Sequence, residues 1–205
     1  MRALILVDIQ NDFVPGGALA VPTGDQIIPI VNRLQPHFEC IIATQDWHPP
    51  EHASFSANHP HHKIGDVIDL EGIKQILWPL HCVQNTWGAE FVPALHQGNW
   101  CGIVQKGTDP KIDSYSGFFD NGHRKQTALE KILHDHKVTK VFLCGLATDY
   151  CVKFTALDAL KLGFKTTLIV DACTGIDVHK GDVDRAITEM RTAGVNVAQS
   201  GEVMG

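Results

Sequence analysis

Residues 141–163, VFLCGLATDYCVKFTALDALKLG, decide the fold of this chain. The first four are a short apolar run, Gly145 marks a turn, and apolar residues then recur at helical spacing. The pattern predicts a buried strand, a turn and an amphipathic helix, with Gly163 just past the helix end, where glycine is favoured. Thr148 or Asp149 is expected to cap the helix, because short polar side chains accept hydrogen bonds from its first free amides. A strand leading directly into a helix is typical of α/β proteins.

The same alternation runs along most of the chain. Short apolar runs predict strands at residues 3–7, 40–43, 102–104, 141–144, 167–170 and 195–198. Helical patterns between them predict helices at residues 25–35, 125–136, 149–162 and 180–193. Continuous apolar strands are typical of a parallel sheet that is covered on both faces. We therefore predict an α/β, doubly wound fold with a roughly six-stranded parallel sheet flanked by helices.

One long stretch breaks the alternation. Residues 46–100 hold half of the ten prolines and most of the twelve histidines. Long irregular segments in compact domains are usually functional or mobile. No repeat, low-complexity segment or domain boundary accompanies this one, so we interpret it as an insertion on the rim of the sheet. The prediction for residues 1–205 is a single domain.

The composition excludes several classes of function. The chain has 205 residues with 44% hydrophobic and 20% charged residues, which are ordinary globular values. Its formal net charge is −6 and it has no basic stripe, which argues against a nucleic-acid partner. No apolar run approaches the roughly 18 residues of a membrane span. The six cysteines are scattered through apolar runs and no signal peptide is apparent, so a cytoplasmic protein with reduced thiols is expected. A homo-oligomer stays possible.

Three side chains that can carry chemistry stand at the carboxyl ends of predicted strands: Asp8, Lys106 and Cys151. Open α/β sheets bind their ligands at that edge. Cys151 falls in the first turn of a predicted helix, where free amides and the helix dipole favour a thiolate and can hold an oxyanion. Asp8 can take the thiol proton and return it to a leaving group. Lys106 can keep Asp8 ionised and stabilise the thiolate.

Each of the three also has an ordinary interpretation. Most cysteines are small core residues, and this is how we interpret the other five, Cys40, Cys82, Cys101, Cys144 and Cys173. Asp8 can be a strand-end carboxylate that accepts turn amides, and Lys106 can be a solvated loop lysine. Only their joint placement at one edge of the sheet favours the catalytic interpretation.

A second set of residues has the chemistry of metal ligands. Asp46 and His48 are two positions apart, so in an extended chain they point to the same side and can grip one ion. His81 can supply a third ligand, and His52 a fourth or an outer one. Two histidines and a carboxylate leave positions open for water or substrate and suit zinc, iron or manganese. The remaining cluster in the insertion, interpreted as surface histidines, is His59, His61 and His62.

Over essentially its whole length the chain resembles the nicotinamidase/pyrazinamidase family of the isochorismatase-like cysteine hydrolase superfamily. The segments that carry the resemblance occur in the family's order. They are LILVDIQNDF, PGGALAV, TQDWHPPEHASF, LWPLHCVQNT, GAEF, KGTDPKIDSYSGFFDN, CGLATDYCVKFTALDA and DACTGI. GLATDYCV and DWHP are the most specific of them.

The resemblance implies an isochorismatase-like hydrolase fold and a catalytic triad of Asp8, Lys106 and Cys151, with the cysteine as nucleophile. It also implies one divalent metal ion on Asp46, His48 and His81, a cis peptide between Leu146 and Ala147, and an oxyanion hole formed by the amides of Ala147 and Cys151. Three aromatic residues fall where the family lines its substrate pocket: Phe13, Trp78 and Tyr115. The implied reaction is hydrolysis of nicotinamide to nicotinate and ammonia in NAD salvage, with pyrazinamide as a further substrate.

Two positions depart from the family pattern. Leu80 stands where the family often has aspartate before the metal-site histidine, and Thr174 where it often has arginine. Another amidase of the superfamily, acting on an N-carbamoyl or ureido substrate, is the alternative, but such enzymes generally lack the Asp-x-His metal set. Isochorismatase itself lacks the nucleophilic cysteine. A metal-dependent small-molecule binding module is the alternative from a different class, and the intact triad argues against it.

Overall fold

The computed structural model describes residues 1–205, and six parallel strands form its central sheet. These strands are β1 (Arg2–Val7), β2 (Cys40–Asp46), β5 (Gly102–Lys106), β6 (Lys140–Leu146), β7 (Lys165–Thr174) and β8 (Asn196–Ala198). Their order across the sheet is β5-β2-β1-β6-β7-β8. The strand order turns back between β1 and β6, and α/β sheets bind ligands in the crevice at such a point.

Five α-helices accompany the sheet: α1 (Ile28–Leu34), α2 (Leu129–Asp135), α3 (Lys153–Lys161), α4 (Asp182–Ala193) and α5 (Ser200–Met204). Both faces of the sheet are buried, which explains the continuous apolar strands. Along β1, Leu4 and Leu6 belong to the apolar cluster that includes α1, whereas Ile5 belongs to the cluster that includes α2 and α3. The predicted fold class is therefore confirmed.

A helix does lie within the predicted range of residues 149–162, but it begins differently from the prediction. A single π-type turn, Thr148–Val152, precedes α3, and Ala147 occupies the capping position without any side-chain cap. The Asp149 carboxylate instead accepts hydrogen bonds from the amides of Ile176 and Asp177. A tertiary contact thus takes the side chain that the sequence assigned to the cap. Gly163 does follow the helix end, with φ +87°.

Polar residues at strand ends extend the sheet beyond the predictions. β2 continues through Thr44 and Gln45 to Asp46, and all of its residues are buried. Conversely, α2 starts at Leu129 rather than at residue 125, because loop contacts hold the preceding residues. The Asp120 carboxylate accepts the Lys125 amide at 2.8 Å.

Residues between β2 and β5 form the insertion. It contains one antiparallel hairpin, β3 (Val67–Leu70) and β4 (Ile73–Ile76), which the sequence did not predict. Glu71 and Gly72 both have positive φ, as a two-residue hairpin turn requires. The helices are too short or too polar for any of them to span a bilayer.

Candidate active site

Asp8, Lys106 and Cys151 come together at the carboxyl edge of the sheet. Asp8 follows β1 directly, Lys106 ends β5, and Cys151 lies in the turn between β6 and α3. Lys106 Nζ is 2.9 Å from Asp8 Oδ2 and 3.4 Å from Cys151 Sγ. An oxygen of Asp8 lies within 4.8 Å of that sulfur. All three side chains are buried. The geometry permits proton transfer between thiol and carboxylate, beside a fixed ammonium group.

Asp8 is held with one oxygen occupied and the other facing the cluster. Its Oδ1 accepts a hydrogen bond of 2.6 Å from the Thr44 hydroxyl. Its Oδ2 lies near Lys106 but accepts no well-aligned hydrogen bond. Burial raises the pKa of Asp8 above its ordinary value, and the Lys106 charge only partly opposes this. A carboxylate with a raised pKa and a free oxygen is a competent general base.

Burial opposes the thiolate form of Cys151 that its place at the helix start favours. Burial raises the pKa of the Cys151 thiol well above its ordinary value. Lys106 lowers that pKa, but the carboxylates of Asp8 and Asp46 act against it. Burial therefore favours the thiol form, and an oxygen of Asp8 lies close enough to accept its proton.

Lys106 is a buried strand residue and not a solvated loop lysine. Its Nζ contacts Asp46 Oδ1 at 2.5 Å and donates to the Ser114 carbonyl at 2.8 Å. Burial disfavours its charge, but the carboxylates of Asp46 and Asp8 outweigh burial and raise the pKa of Lys106 well above the ordinary value. Lys106 is thus a permanent cation within the cluster.

Asp46, His48 and His81 form a second cluster, which shares Asp46 with the first. His48 Nε2 is 3.3 Å and His81 Nε2 is 3.7 Å from Asp46 Oδ2, and the three ligating atoms lie within 4.8 Å of one another. The Nδ1 atoms of the histidines are engaged by carbonyl oxygens, so their Nε2 atoms face the cluster. The buried His48 Nε2 makes no hydrogen bond. Such an orphaned nitrogen beside a carboxylate is what a metal ligand set requires.

The backbone around these ligands is built to place them. Gly107 supplies the carbonyl, 2.8 Å away, that orients His48, and a Cβ at Gly107 would stand 2.3 Å from the imidazole ring. Its φ of +64° also favours glycine. Next to His81, Cys82 has a φ of +45°, and its amide donates to Asp12 at 2.7 Å. The β2 end is fixed by Gln10, whose side-chain amide bonds both the Asp46 amide and carbonyl at 2.8 Å.

His52 does not join Asp46 and His81 but packs against the outer side of His48. Their ring centroids are 4.4 Å apart, and His52 belongs to a separate group with His48 and Asp113. Burial lowers the pKa of His52 to about 4, so its imidazole is neutral. Away from this group, the other histidines of the insertion have no place in either cluster and are partly or fully exposed: His59, His61, His62 and His96.

A small cavity opens onto both clusters. It is lined by Phe13, Trp78 and Tyr115 together with Ala147 and Cys151. The sequence-predicted pocket residues therefore do face the nucleophile candidate. The Tyr115 hydroxyl accepts hydrogen bonds from Trp78 and Gln75, each 3.0 Å long, which fixes the two aromatic walls. An aromatic ring suits such a pocket.

Other local features match or refine the predictions. The Leu146–Ala147 peptide is cis. Leu80, one of the two departures from the family pattern, is 46% exposed, so it points away from the buried ligands. The hydroxyl of Thr174, the other departure, donates to the Pro22 carbonyl at 3.2 Å. Neither residue lines the cavity.

Sequence reasoning missed the residues that support the clusters. Gln10, Gly107, Ser114 and Asp113 all lie within motifs that were quoted for the resemblance, but none was assigned a position in the site. The signal that could have found Gln10 is its place two residues after Asp8 at a strand end. Asp113 carries no such signal, because its place beside His52 depends on how the loop after β5 folds over the cavity.

Comparison with known proteins agrees with this geometry. The isochorismatase domain model matches residues 2–202, and the chain belongs to that family. Within the family it is similar to nicotinamidases. A nicotinamidase of Escherichia coli is 48% identical over 200 residues, which cover 96% of this chain and 93% of that protein.

Two solved structures extend the comparison. A nicotinamidase pyrazinamidase structure from Acinetobacter baumanii has a TM-score of 0.96 and 46% identity, covering 98% and 97% of the two chains. The pyrazinamidase of Pyrococcus horikoshii, solved in complex with zinc, has a TM-score of 0.79 and 44% identity, covering 97% and 98%.

Proposed function

We propose that this protein is a nicotinamidase, an amidohydrolase that converts nicotinamide to nicotinate and ammonia. One observation carries the proposal: the Cys151 thiol borders one aromatic cavity together with Asp46 and His81 of the Asp-His-His set, and behind the thiol lies the carboxylate–ammonium pair of Asp8 and Lys106. The full-length similarity to nicotinamidases supports it.

Asp8 starts the reaction in this proposal by taking the proton of the Cys151 thiol. The sulfur then attacks the carboxamide carbon, and the negative charge moves to the carbonyl oxygen. The amides of Ala147 and Cys151, which both border the cavity, donate hydrogen bonds to that oxygen. Asp8 returns its proton to the amide nitrogen, and the carbon–nitrogen bond breaks. Ammonia departs, and the acyl group stays on Cys151 as a thioester.

Hydrolysis of the thioester repeats the same proton path. Asp8 deprotonates a water molecule, the water oxygen attacks the thioester carbon, and the carbon–sulfur bond breaks to release nicotinate. The proton held by Asp8 returns to Cys151. Throughout, Lys106 keeps Asp8 oriented and favours its ionised form through a contact of 2.9 Å.

Asp46, His48 and His81 would hold the divalent ion, which is zinc, iron or manganese in this proposal. When bound it supplies a Lewis-acidic partner for the ring nitrogen, directly or through water, and so selects and orients an azine ring. Phe13, Trp78 and Tyr115 would enclose the ring. Pyrazinamide carries the same amide and ring nitrogen, so we propose it as a second substrate.

We place this activity in the cytoplasm, in NAD salvage. All six cysteines are free thiols, which supports a reducing compartment.

Ammonia release by the purified protein tests the proposed function. We expect kcat/KM for nicotinamide to exceed that for an N-carbamoyl amide by about a hundredfold or more, because only the former places a ring nitrogen between the aromatic walls and the ligand set. An enzyme-coupled ammonia assay with both substrates makes the measurement. Higher activity on the N-carbamoyl amide would assign the chain to a sister amidase instead.

Removal of the metal should prevent substrate binding while leaving the Cys151 nucleophile intact. We expect chelation to stop turnover and one divalent ion to restore it. His48→Ala and His81→Ala should raise KM for nicotinamide by about tenfold or more. Substitution of residues that merely support metal ligands already lowers metal affinity or activity by about 10–100-fold. Elemental analysis and steady-state kinetics make the measurements.

His61→Ala is the matched control for that prediction, because His61 is an exposed histidine of the same insertion. It should keep both its metal and its KM. Full activity of the wild-type protein after exhaustive chelation, with no metal bound, would contradict the proposed role of the ligand set.

A further inference from the structure

A third cluster of ligating side chains lies at the opposite edge of the sheet. Cys40 is the first residue of β2, Cys101 immediately precedes β5, and His136 directly follows α2. Their ligating atoms all lie within 4.8 Å of one another, and Cys101 Sγ is 3.9 Å from His136 Nδ1. β2 runs from Cys40 to Asp46, so the cluster is about 20 Å from the first metal set at 3.3 Å per residue.

Hydrogen-bonded backbone holds two of the three members. The Cys101 amide donates to the Ile41 carbonyl at 2.7 Å, next to Cys40, so the two cysteines are carried by paired neighbouring strands. The His136 amide donates to the Ile132 carbonyl at 3.1 Å, which keeps the imidazole at the end of the helix. Two strands and one helix therefore bring the three ligating side chains together. Each of these residues lies in a strand or directly beside a strand or helix.

The contrast with another buried thiol shows that this arrangement is not a general property of core cysteines. Cys144 is also fully buried, but its sulfur has one polar contact, with the Ile5 carbonyl at 3.8 Å, and it belongs to no group of ligating atoms. In the third cluster, two sulfurs and an imidazole nitrogen face one another instead. Cys40 is buried, Cys101 is half-buried and His136 is exposed, so the cluster is open to solvent on one side.

We propose that Cys40, Cys101 and His136 form a second metal site, which binds zinc or a similarly soft divalent cation. Two thiolates and one imidazole are a donor set that zinc takes, with a water molecule in the remaining position on the solvent side. Each thiol that binds gives up its proton, so the two thiolates balance the charge of the ion. The bound ion would join edge strand β5 to β2 and α2.

Cobalt and zinc binding to the purified, metal-stripped and reduced protein tests this site. Cobalt should give the near-ultraviolet absorbance of thiolate-to-metal charge transfer, which the Asp-His-His set lacks because it contains no sulfur. Zinc titration should show one more bound ion per chain in the wild type than in Cys101→Ser. Cys101→Ser and His136→Ala should weaken zinc binding at this site by about a hundredfold, as loss of a ligand exceeds loss of an outer contact. Both positions are partly exposed, so both variants are expected to fold.

Matched controls separate the site from the rest of the molecule. His134→Ala removes another exposed histidine of α2, one whose imidazole contacts Glu130 instead, and it should keep the cobalt band. Cys151→Ala should keep it as well, which excludes the thiol beside the first metal set. Cys173→Ser is the control for loss of a half-buried thiol elsewhere. Zinc should also raise the Tm of the wild type more than that of His136→Ala, by mass action on the folded state.

Two outcomes would overturn the proposal. One is the same zinc stoichiometry and the same charge-transfer band in wild type and Cys101→Ser. The other is a Cys40–Cys101 disulfide, seen as the loss of two hydrogens in a linked peptide pair, in protein that binds no additional zinc after reduction. Neither outcome depends on the hydrolysis of nicotinamide, so the test is independent of the proposed function.

Discussion

Cys151→Ala should lower kcat/KM for nicotinamide by about 10⁴-fold or more, since the other members of a catalytic unit contribute little once the nucleophile is gone. The methyl group cannot form the thioester, whereas the cavity and its donors stay in place. The unfolding temperature should stay close to that of the wild type, because only one buried sulfur atom is removed. Ammonia release and thermal denaturation make the two measurements.

Acid quenching during turnover adds a direct test of the covalent step. Mass spectrometry should find the acyl group on the peptide that contains Cys151 and on no other cysteine peptide. Cys144→Ala is the matched control, because it removes a buried thiol that lies outside the cavity, and it should keep wild-type turnover. A Cys151→Ala variant that retains even a tenth of the wild-type rate would rule out the thioester mechanism.

Asp8→Asn should cost nearly as much, about 10³- to 10⁴-fold in kcat/KM, because general acid–base groups contribute 10²–10⁴-fold and Asp8 serves in both directions. The asparagine keeps the shape and the hydrogen bond with Thr44 but cannot take the thiol proton. Burial raises the pKa of the Cys151 thiol, which makes a neighbouring base more important for its ionisation. Steady-state kinetics measure the loss.

The pH dependence of the wild type checks the same assignment. Asp8 must be ionised to act as a base, and burial raises its pKa, so activity should fall on acidification at a pH above the ordinary aspartate range. Asp8→Asn combined with Cys151→Ala should be no worse than the worse single variant. Asp171→Asn is the control, since Asp171 binds Ser200 outside the cavity. Additive losses would separate Asp8 from the step that uses Cys151.

The fold and the triad candidates were accessible from sequence because they depend on local order. Asp8 and Cys151 each follow an apolar strand within a few residues, and strands of a parallel sheet end at one edge. Lys106 is different, since β5 is separated from β1 by β2. Its place at a strand end suggested its role and the resemblance to a known family implied it as well, but only the strand order explains how its long side chain reaches Asp8.

Contacts between distant strands were beyond the sequence. Cys40 and Cys101 were interpreted as inert core thiols, because nothing in the chain indicates that β2 and β5 are neighbours. The predicted helix cap was wrong for a related reason: the Asp149 carboxylate accepts hydrogen bonds from two loop amides and not from the amides of its own helix. Burial raises the pKa of the Cys151 thiol against the effect of the helix start, and burial is a tertiary quantity that local position does not give.

Asp46 gives the site a property that neither cluster has alone, since one of its oxygens contacts Lys106 and the other faces both histidines. Substitutions in the two clusters are therefore expected to show epistasis: the penalties of a Lys106 and a His48 substitution should not add, because each disturbs the same carboxylate. In evolutionary terms, a descendant that lost Asp46 together with the histidines would keep Asp8 as the one carboxylate that contacts Lys106. Conversion between metal-dependent and metal-independent amidases on this scaffold is thus expected to change the charge balance around Lys106 as well as the ligand set.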